Sequence, residues 1–101
     1  MGEILLIRHG KTAGNLEGRY IGSRTDESLC EEGIRGLGEK VYPSADRIYA
    51  SPMRRCVETA EILWPGCEPI LVPDLRECDF GTFENRNYQE LNGDPKYQAW
   101  I

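Results

Sequence analysis

Arg8-His9-Gly10 joins the only histidine of the chain to a guanidinium where the apolar run Ile4-Leu5-Leu6-Ile7 ends. An imidazole beside a fixed cation suits nucleophilic attack on a phosphate. The transferring group spreads its charge over its equatorial oxygens and asks chiefly for positioned positive charge. Arginine supplies that charge through a rigid fork of donors. A second pair of cations, Arg54 and Arg55, follows Ser51-Pro52, which reads as an N-cap and a proline at the first helical position. Two cations in a first helical turn are misplaced against the macrodipole, and a bound anion reverses that penalty.

The stretch around His9 reads Arg8-His9-Gly10-Lys11-Thr12-Ala13-Gly14-Asn15. After it come Leu29-Cys30-Glu31-Glu32-Gly33, then Ser51-Pro52-Met53-Arg54-Arg55-Cys56-Val57-Glu58-Thr59-Ala60, then Leu75-Arg76-Glu77-Cys78-Asp79-Phe80-Gly81. In this order, over most of the chain, the four segments resemble the signature of the histidine phosphatase family, the phosphoglycerate mutase-like enzymes.

The resemblance implies an α/β protein, a three-layer α/β/α fold of the phosphoglycerate mutase-like type represented by its N-terminal half. It implies hydrolysis of a phosphate monoester, with His9 as the nucleophile that becomes transiently phosphorylated. Arg8, Arg55 and Asn15 would stabilise the transferring group, Gly22 would approach the phosphate, and Glu77 would act as general acid and base. No cofactor and no metal is implied, and the partner is a small phosphorylated molecule. Thr12 is a further hydroxyl donor, and Lys11 adds positive potential. The acid role of Glu77 requires burial to hold its carboxyl above the usual range, which nearby arginines oppose. Spacing within the motif makes Arg55 the family's catalytic arginine and leaves Arg54 to solvent. Glu61 and Glu84 read as surface carboxylates.

Mutases of the family usually carry a tryptophan before the asparagine, where this chain has Gly14. Lys11-Thr12-Ala13-Gly14-Asn15-Leu16-Glu17 and Tyr20-Ile21-Gly22 resemble the phosphatase branch, including alpha-ribazole phosphatase-like proteins. A phosphoglycerate mutase is the alternative enzyme. The alternative from another class is a non-catalytic phosphate-binding fragment, because the family's second active-site histidine has no counterpart among these residues.

With 101 residues the chain is one domain at most. A net charge of −5 argues against a nucleic-acid or anionic-membrane surface as partner. No segment approaches the roughly 18 consecutive apolar residues of a spanning helix. Met1-Gly2-Glu3 leads into the first apolar run without a signal-peptide pattern, so cytoplasmic residence is the default. Cys30, Cys56, Cys67 and Cys78 form no C-x-x-C pair and read as reduced structural thiols.

The elements that must position these residues follow from pattern. Ile4–Ile7 reads as a strand covered on both faces, with function beginning at its carboxyl end. Residues 11–27 read as a long functional loop with one helical turn. Ser28 and Glu31 form a capping box before the apolar stripe Cys30, Ile34, Leu37 and Val41, a helix ending before Pro43. Gly33, Gly36 and Gly38 within it are expected where the helix packs closely on the sheet. Arg47–Ala50 is a second strand. A helix capped by Ser51 runs to about Trp64 and stops at Pro65-Gly66, and Pro69–Val72 is a third strand. Residues 74–85 are loop, Tyr88–Leu91 a helical turn, and Asp94-Pro95 the start of a last helix. Its apolar stop at Ala99-Trp100-Ile101 predicts that residues 1–101 are a single truncated domain. The exposed sheet edge and that terminus should be covered by another copy in a homo-oligomer or by a missing half.

Overall fold

Tyr49 pairs with Ile70, and Ala50 with Leu71, in parallel register, and these two short strands form the sheet of a computed structural model that describes residues 2–101. Met1, part of the expectation about the N-terminus, lies outside the described residues. Parallel strands need a crossover, and the helix between them supplies it. The elements in chain order are α1 (Ala13–Leu16), α2 (Glu31–Gly38), β1 (Tyr49–Ala50), α3 (Arg54–Leu63), β2 (Ile70–Leu71), α4 (Tyr88–Leu91) and α5 (Pro95–Trp100). Single 3-10 turns cover Pro73–Leu75 and Gly81–Phe83. The class is α/β, as expected, with α3 packed between α2 and β1. No helix among the described residues is long and apolar enough to cross a membrane.

The expected first strand is not formed. Residues Ile4–Ile7 have no ladder partner, and Ile4 and Leu6 are 90% and 95% exposed. A cleft of about 1190 Å³, lined also by Ile48, Ala50, Ala60, Leu63 and Trp64, separates this segment from β1 and α3. A strand needs a neighbour for its N–H and C=O groups, and across that cleft there is none. The other two strands are real but shortened to two residues each. Their pairing is extended by bonds from the Ile70 N–H to the Ile48 carbonyl and from the Val72 N–H to the Ala50 carbonyl, both 2.8 Å.

Helix boundaries moved for reasons distant in sequence. Ser28 does not cap α2; the N-cap is Cys30, without a side-chain bond. Leu29 bridges Thr12 and gives its N–H to Glu58 Oε1 at 2.7 Å, so the helix starts two residues later than expected. The helix ends at Gly38, so Val41 falls outside it, fully exposed. Gly33 is required by contact: a Cβ there would lie 2.1 Å from the Lys11 carbonyl oxygen, so the close partner is the loop after His9 rather than the sheet. Gly36 and Gly38 meet nothing.

In α3 the expected cap also fails. Met53 is the N-cap, and Ser51 Oγ merely accepts from the Met53 N–H at 3.4 Å. The first N–H of the helix, from Arg54, goes instead to Asp26 Oδ1 at 2.7 Å, a carboxylate placed where the macrodipole favours one. The short helices behave as read. Asp94 caps α5 with Pro95 following, and Asn87 and Glu90 make a full capping box on α4. The loop 74–85 keeps its irregular course apart from the two 3-10 turns. Tyr20, Phe80, Phe83, Tyr97 and Trp100 form an aromatic cluster with centroids 5.2–6.2 Å apart. Trp100 packs one side on this cluster but, as expected of this end, stays exposed, as does Ile101.

Candidate active site

His9 is half-buried, and its Nδ1 lies 2.6 Å from the Gly10 carbonyl oxygen. A carbonyl only accepts, so Nδ1 carries the proton and donates, leaving the lone pair on Nε2. Burial is the main cause that holds the imidazole below its ordinary value; the Arg55 and Arg8 charges push the same way, while the Gly10 bond and Glu77 oppose. The ring is therefore a neutral nitrogen base with one available lone pair near neutral pH.

The loop that follows is fixed by two helices. The buried Gly10 N–H donates to Thr59 Oγ1 at 3.0 Å, and that hydroxyl donates to the Arg55 carbonyl at 2.6 Å. The next turn is α1, whose capping box is Thr12 and Asn15. The Asn15 N–H donates to Thr12 Oγ1 at 3.2 Å, and Asn15 Oδ1 accepts from the Thr12 N–H at 2.9 Å. That bond fixes which way the Asn15 amide is turned and leaves its NH₂ group as the donor end. Thr12 is fully buried in this box, so its hydroxyl serves the turn and not a ligand, contrary to expectation.

Arg8, His9, Asn15 and Glu77 come together around one cavity of about 410 Å³, completed by Arg19, Tyr20, Ile21 and Phe80. Arg55 acts on this cavity from behind its lining. It is 1% exposed, donates from Nη1 to the Thr25 carbonyl at 2.7 Å, and reaches the Ile21 and Gly22 carbonyls at 3.5 and 3.3 Å. Its Nε–H has no partner, and it makes no ion pair among the described residues. Arg54, by contrast, is exposed and answered by Asp26.

Two expected site residues stand differently. The Gly22 N–H is already given to Glu84 Oε2 at 2.9 Å, and a Cβ at Gly22 would sit 2.3 Å from the Cys78 carbonyl oxygen. Gly22 is thus needed for close loop packing, with no free donor for a phosphate. Glu77 is exposed and accepts from the Cys78 N–H at 2.9 Å, so the burial its acid role calls for is absent here. Lys11 is exposed, and its carbonyl receives the Cys30 N–H at 3.0 Å.

Sequence reasoning missed Thr59, Arg19 and Glu84. Glu84, read as a surface carboxylate, collects the Gly22 N–H, the Thr25 hydroxyl and the Phe80 N–H, joining two loops behind the cavity. Arg19 is held by Glu17 at 2.6 Å, by Glu90 at 2.5 Å and by the Asn85 carbonyl at 2.8 Å. Only the arginine beside a Tyr-Ile-Gly turn hinted at it.

Known proteins resemble the chain throughout. It is 36% identical over 96 residues to the "Probable phosphoglycerate mutase GpmB" of Cronobacter sakazakii, covering 89% of this chain and 44% of that protein. It is 31% identical over 104 residues to the adenosylcobalamin/alpha-ribazole phosphatase of Salmonella typhimurium, covering 94% of this chain and 50% of that one. The crystal structure of phosphoserine phosphatase from Entamoeba histolytica, in complex with 3-phosphoglyceric acid, superposes with a TM-score of 0.78 at 34% identity, covering 92% of this chain and 48% of that chain. The chain therefore spans about half the length of the relatives it matches. The model of the histidine phosphatase superfamily (branch 1) matches residues 4–101, and the chain belongs to that family.

Proposed function

We propose that these residues carry the phosphate-handling part of a phosphatase that hydrolyses a phosphate monoester through a phosphohistidine at His9. The observation that carries this reading is Arg55. A buried guanidinium whose partners are all neutral carbonyls, with one N–H unpaired, is costly. A phosphate beside His9 would supply the missing negative charge. Arg8 and the Asn15 amide would hold the remaining oxygens. His9 Nε2 forms the bond to phosphorus as the ester P–O bond breaks, and the departing oxygen takes a proton from Glu77. Water, giving its proton back to Glu77, then attacks the phosphohistidine and releases orthophosphate and neutral imidazole.

A mutase would share the first step and hand the phosphoryl group to another hydroxyl. Gly14 favours the phosphatase, and with it an alpha-ribazole phosphatase-like activity. The exposure of Glu77 favours a second reading, phosphate binding without turnover by these residues alone.

Incubation with a radiolabelled phosphate ester, quenched in parallel in acid and at neutral pH, tests the proposal. Acid-labile label that disappears in His9→Ala supports it. Label kept by His9→Ala, or stable to acid, overturns it. Tight vanadate binding with no label selects the binding-only reading.

A further inference from the structure

Half of the cavity's lining, Arg19, Tyr20, Ile21 and Phe80, has its own chemistry. Its wall is the Tyr20 and Phe80 rings with Ile21, and the two rings pack 5.3 Å apart. Tyr20 is held rigidly, its hydroxyl 2.9 Å from that of Tyr97 and its ring 5.3 Å from Trp100. The cation of this half, Arg19, is shared between two carboxylates, Glu17 and Glu90, and a carbonyl. Arg19, paired with Glu17 and Glu90 outside the lining, therefore brings no net positive charge to the cavity, and Glu77 of the lining is negative. Glu90 stays ionised because the Asn87 N–H and Arg19 both favour its charged form. Arg86 also acts on Glu90 but does not line the cavity.

We propose that this half of the cavity selects the leaving group of the ester, taking an uncharged or cationic alcohol with an apolar ring face and rejecting one that carries a carboxylate. The inference rests on the phosphate site proposed above, which binds the other end of the same molecule. Two features argue for it together. A preorganised aromatic wall, its two rings inclined at 48°, gains from a ring or apolar face. A carboxylate on the leaving group would meet a guanidinium already saturated by two others, so it would gain no net attraction there. The phosphate dianion is held by Arg8 and Arg55 in the proposal above and does not depend on Arg19.

Matched phosphonates test this without requiring turnover. Inorganic phosphate, methylphosphonate, benzylphosphonate, 4-carboxybenzylphosphonate and 4-(aminomethyl)benzylphosphonate would be titrated into the intact chain by calorimetry at low salt. Benzylphosphonate is expected to bind at least about fivefold tighter than its carboxylated counterpart, with the difference shrinking at high salt. The aminomethyl compound should bind at least as tightly as benzylphosphonate. In Glu17→Gln the gap between neutral and carboxylated compounds should narrow about twofold while inorganic phosphate binds as before. In Phe80→Leu the advantage of benzylphosphonate over methylphosphonate should fall by about twofold or more. Equal or tighter binding of the carboxylated compound, with phosphate still bound, overturns the selectivity and leaves the phosphate site standing. No binding of phosphate or any phosphonate overturns the phosphate site, and the selectivity with it.

Discussion

The Gly10 N–H meets Thr59 Oγ1 at 3.0 Å, tying the residue after the histidine to the middle of α3 across 49 positions of sequence. Because the same hydroxyl donates to the Arg55 carbonyl, one threonine sets the spacing between the imidazole and the buried guanidinium. Thr59→Val keeps the shape but strands the buried Gly10 N–H, a loss of about 1–3 kcal/mol in stability by the cost of an unsatisfied donor. Phosphate affinity should fall with it, and Thr59→Ser should restore both. Denaturant titration and phosphate binding on the three proteins check this; an unchanged Thr59→Val would remove the positioning role.

A single histidine makes the protonation of the site directly readable. The ring's midpoint, followed by the proton resonances of His9, should fall below 6.5, because burial disfavours the imidazolium. Removing a positive neighbour in Arg8→Gln should raise the midpoint, and removing a negative one in Glu77→Gln should lower it. The sign carries to the reaction: the neutral ring is the nucleophile, so phosphorylation should be lost as pH falls through that midpoint. A midpoint above 6.5 would contradict the burial of the ring.

Local chemistry was the legible part of this chain. Caps made within three or four residues, Thr12 with Asn15, Asn87 with Glu90 and Asp94 with Lys96, either follow the expected elements or sit inside the expected loop turn. The cavity brings together Arg8, His9 and Asn15 of one motif with Glu77 of another, a grouping that the resemblance implied. What failed depended on partners far along the chain. Asp26 took the cap that Ser51 was expected to make, and Glu84 proved to be a junction because its three donors come from two loops. Ile4–Ile7 has the composition of a covered strand, yet composition cannot supply the neighbour that would pair with it.

Arg55→Lys keeps the charge and loses the fork. Lysine cannot serve the Thr25 and Gly22 carbonyls and still present a donor where Arg55 Nε stands. Vanadate or phosphate binding should weaken by at least about 1–2 kcal/mol, the scale of a charge-assisted hydrogen bond. Circular dichroism separates this from unfolding. Unchanged anion affinity in a folded Arg55→Lys would assign the arginine a purely structural task.

Glu77→Gln should discriminate between leaving groups. If the carboxyl protonates the departing oxygen, an alkyl phosphate slows far more than an aryl phosphate, whose phenolate leaves unaided. Because the carboxylate is exposed in this structure, the effect should also depend on salt. Equal losses on both esters would take Glu77 out of the acid role.

The surface left open by Ile4–Ile7 should drive self-association. The described chain exposes 7371 Å², against roughly 5,800 Å² for a compact monomer of this mass by the usual scaling. The excess is larger than the roughly 800 Å² that one partner contributes to a standard interface. It includes the apolar side chains of Ile4, Leu5 and Leu6 and, across the cleft, Tyr49 on the unpaired edge of β1. A second copy can pair with that edge and cover those side chains at once. Sedimentation velocity over a hundredfold range of concentration should show mass rising with concentration. Leu6→Lys, at a position that packs against nothing in the monomer, should shift the distribution toward single chains without loss of helix content. A monomer at every concentration, indifferent to that substitution, would show that the open apolar face is tolerated in water as it stands.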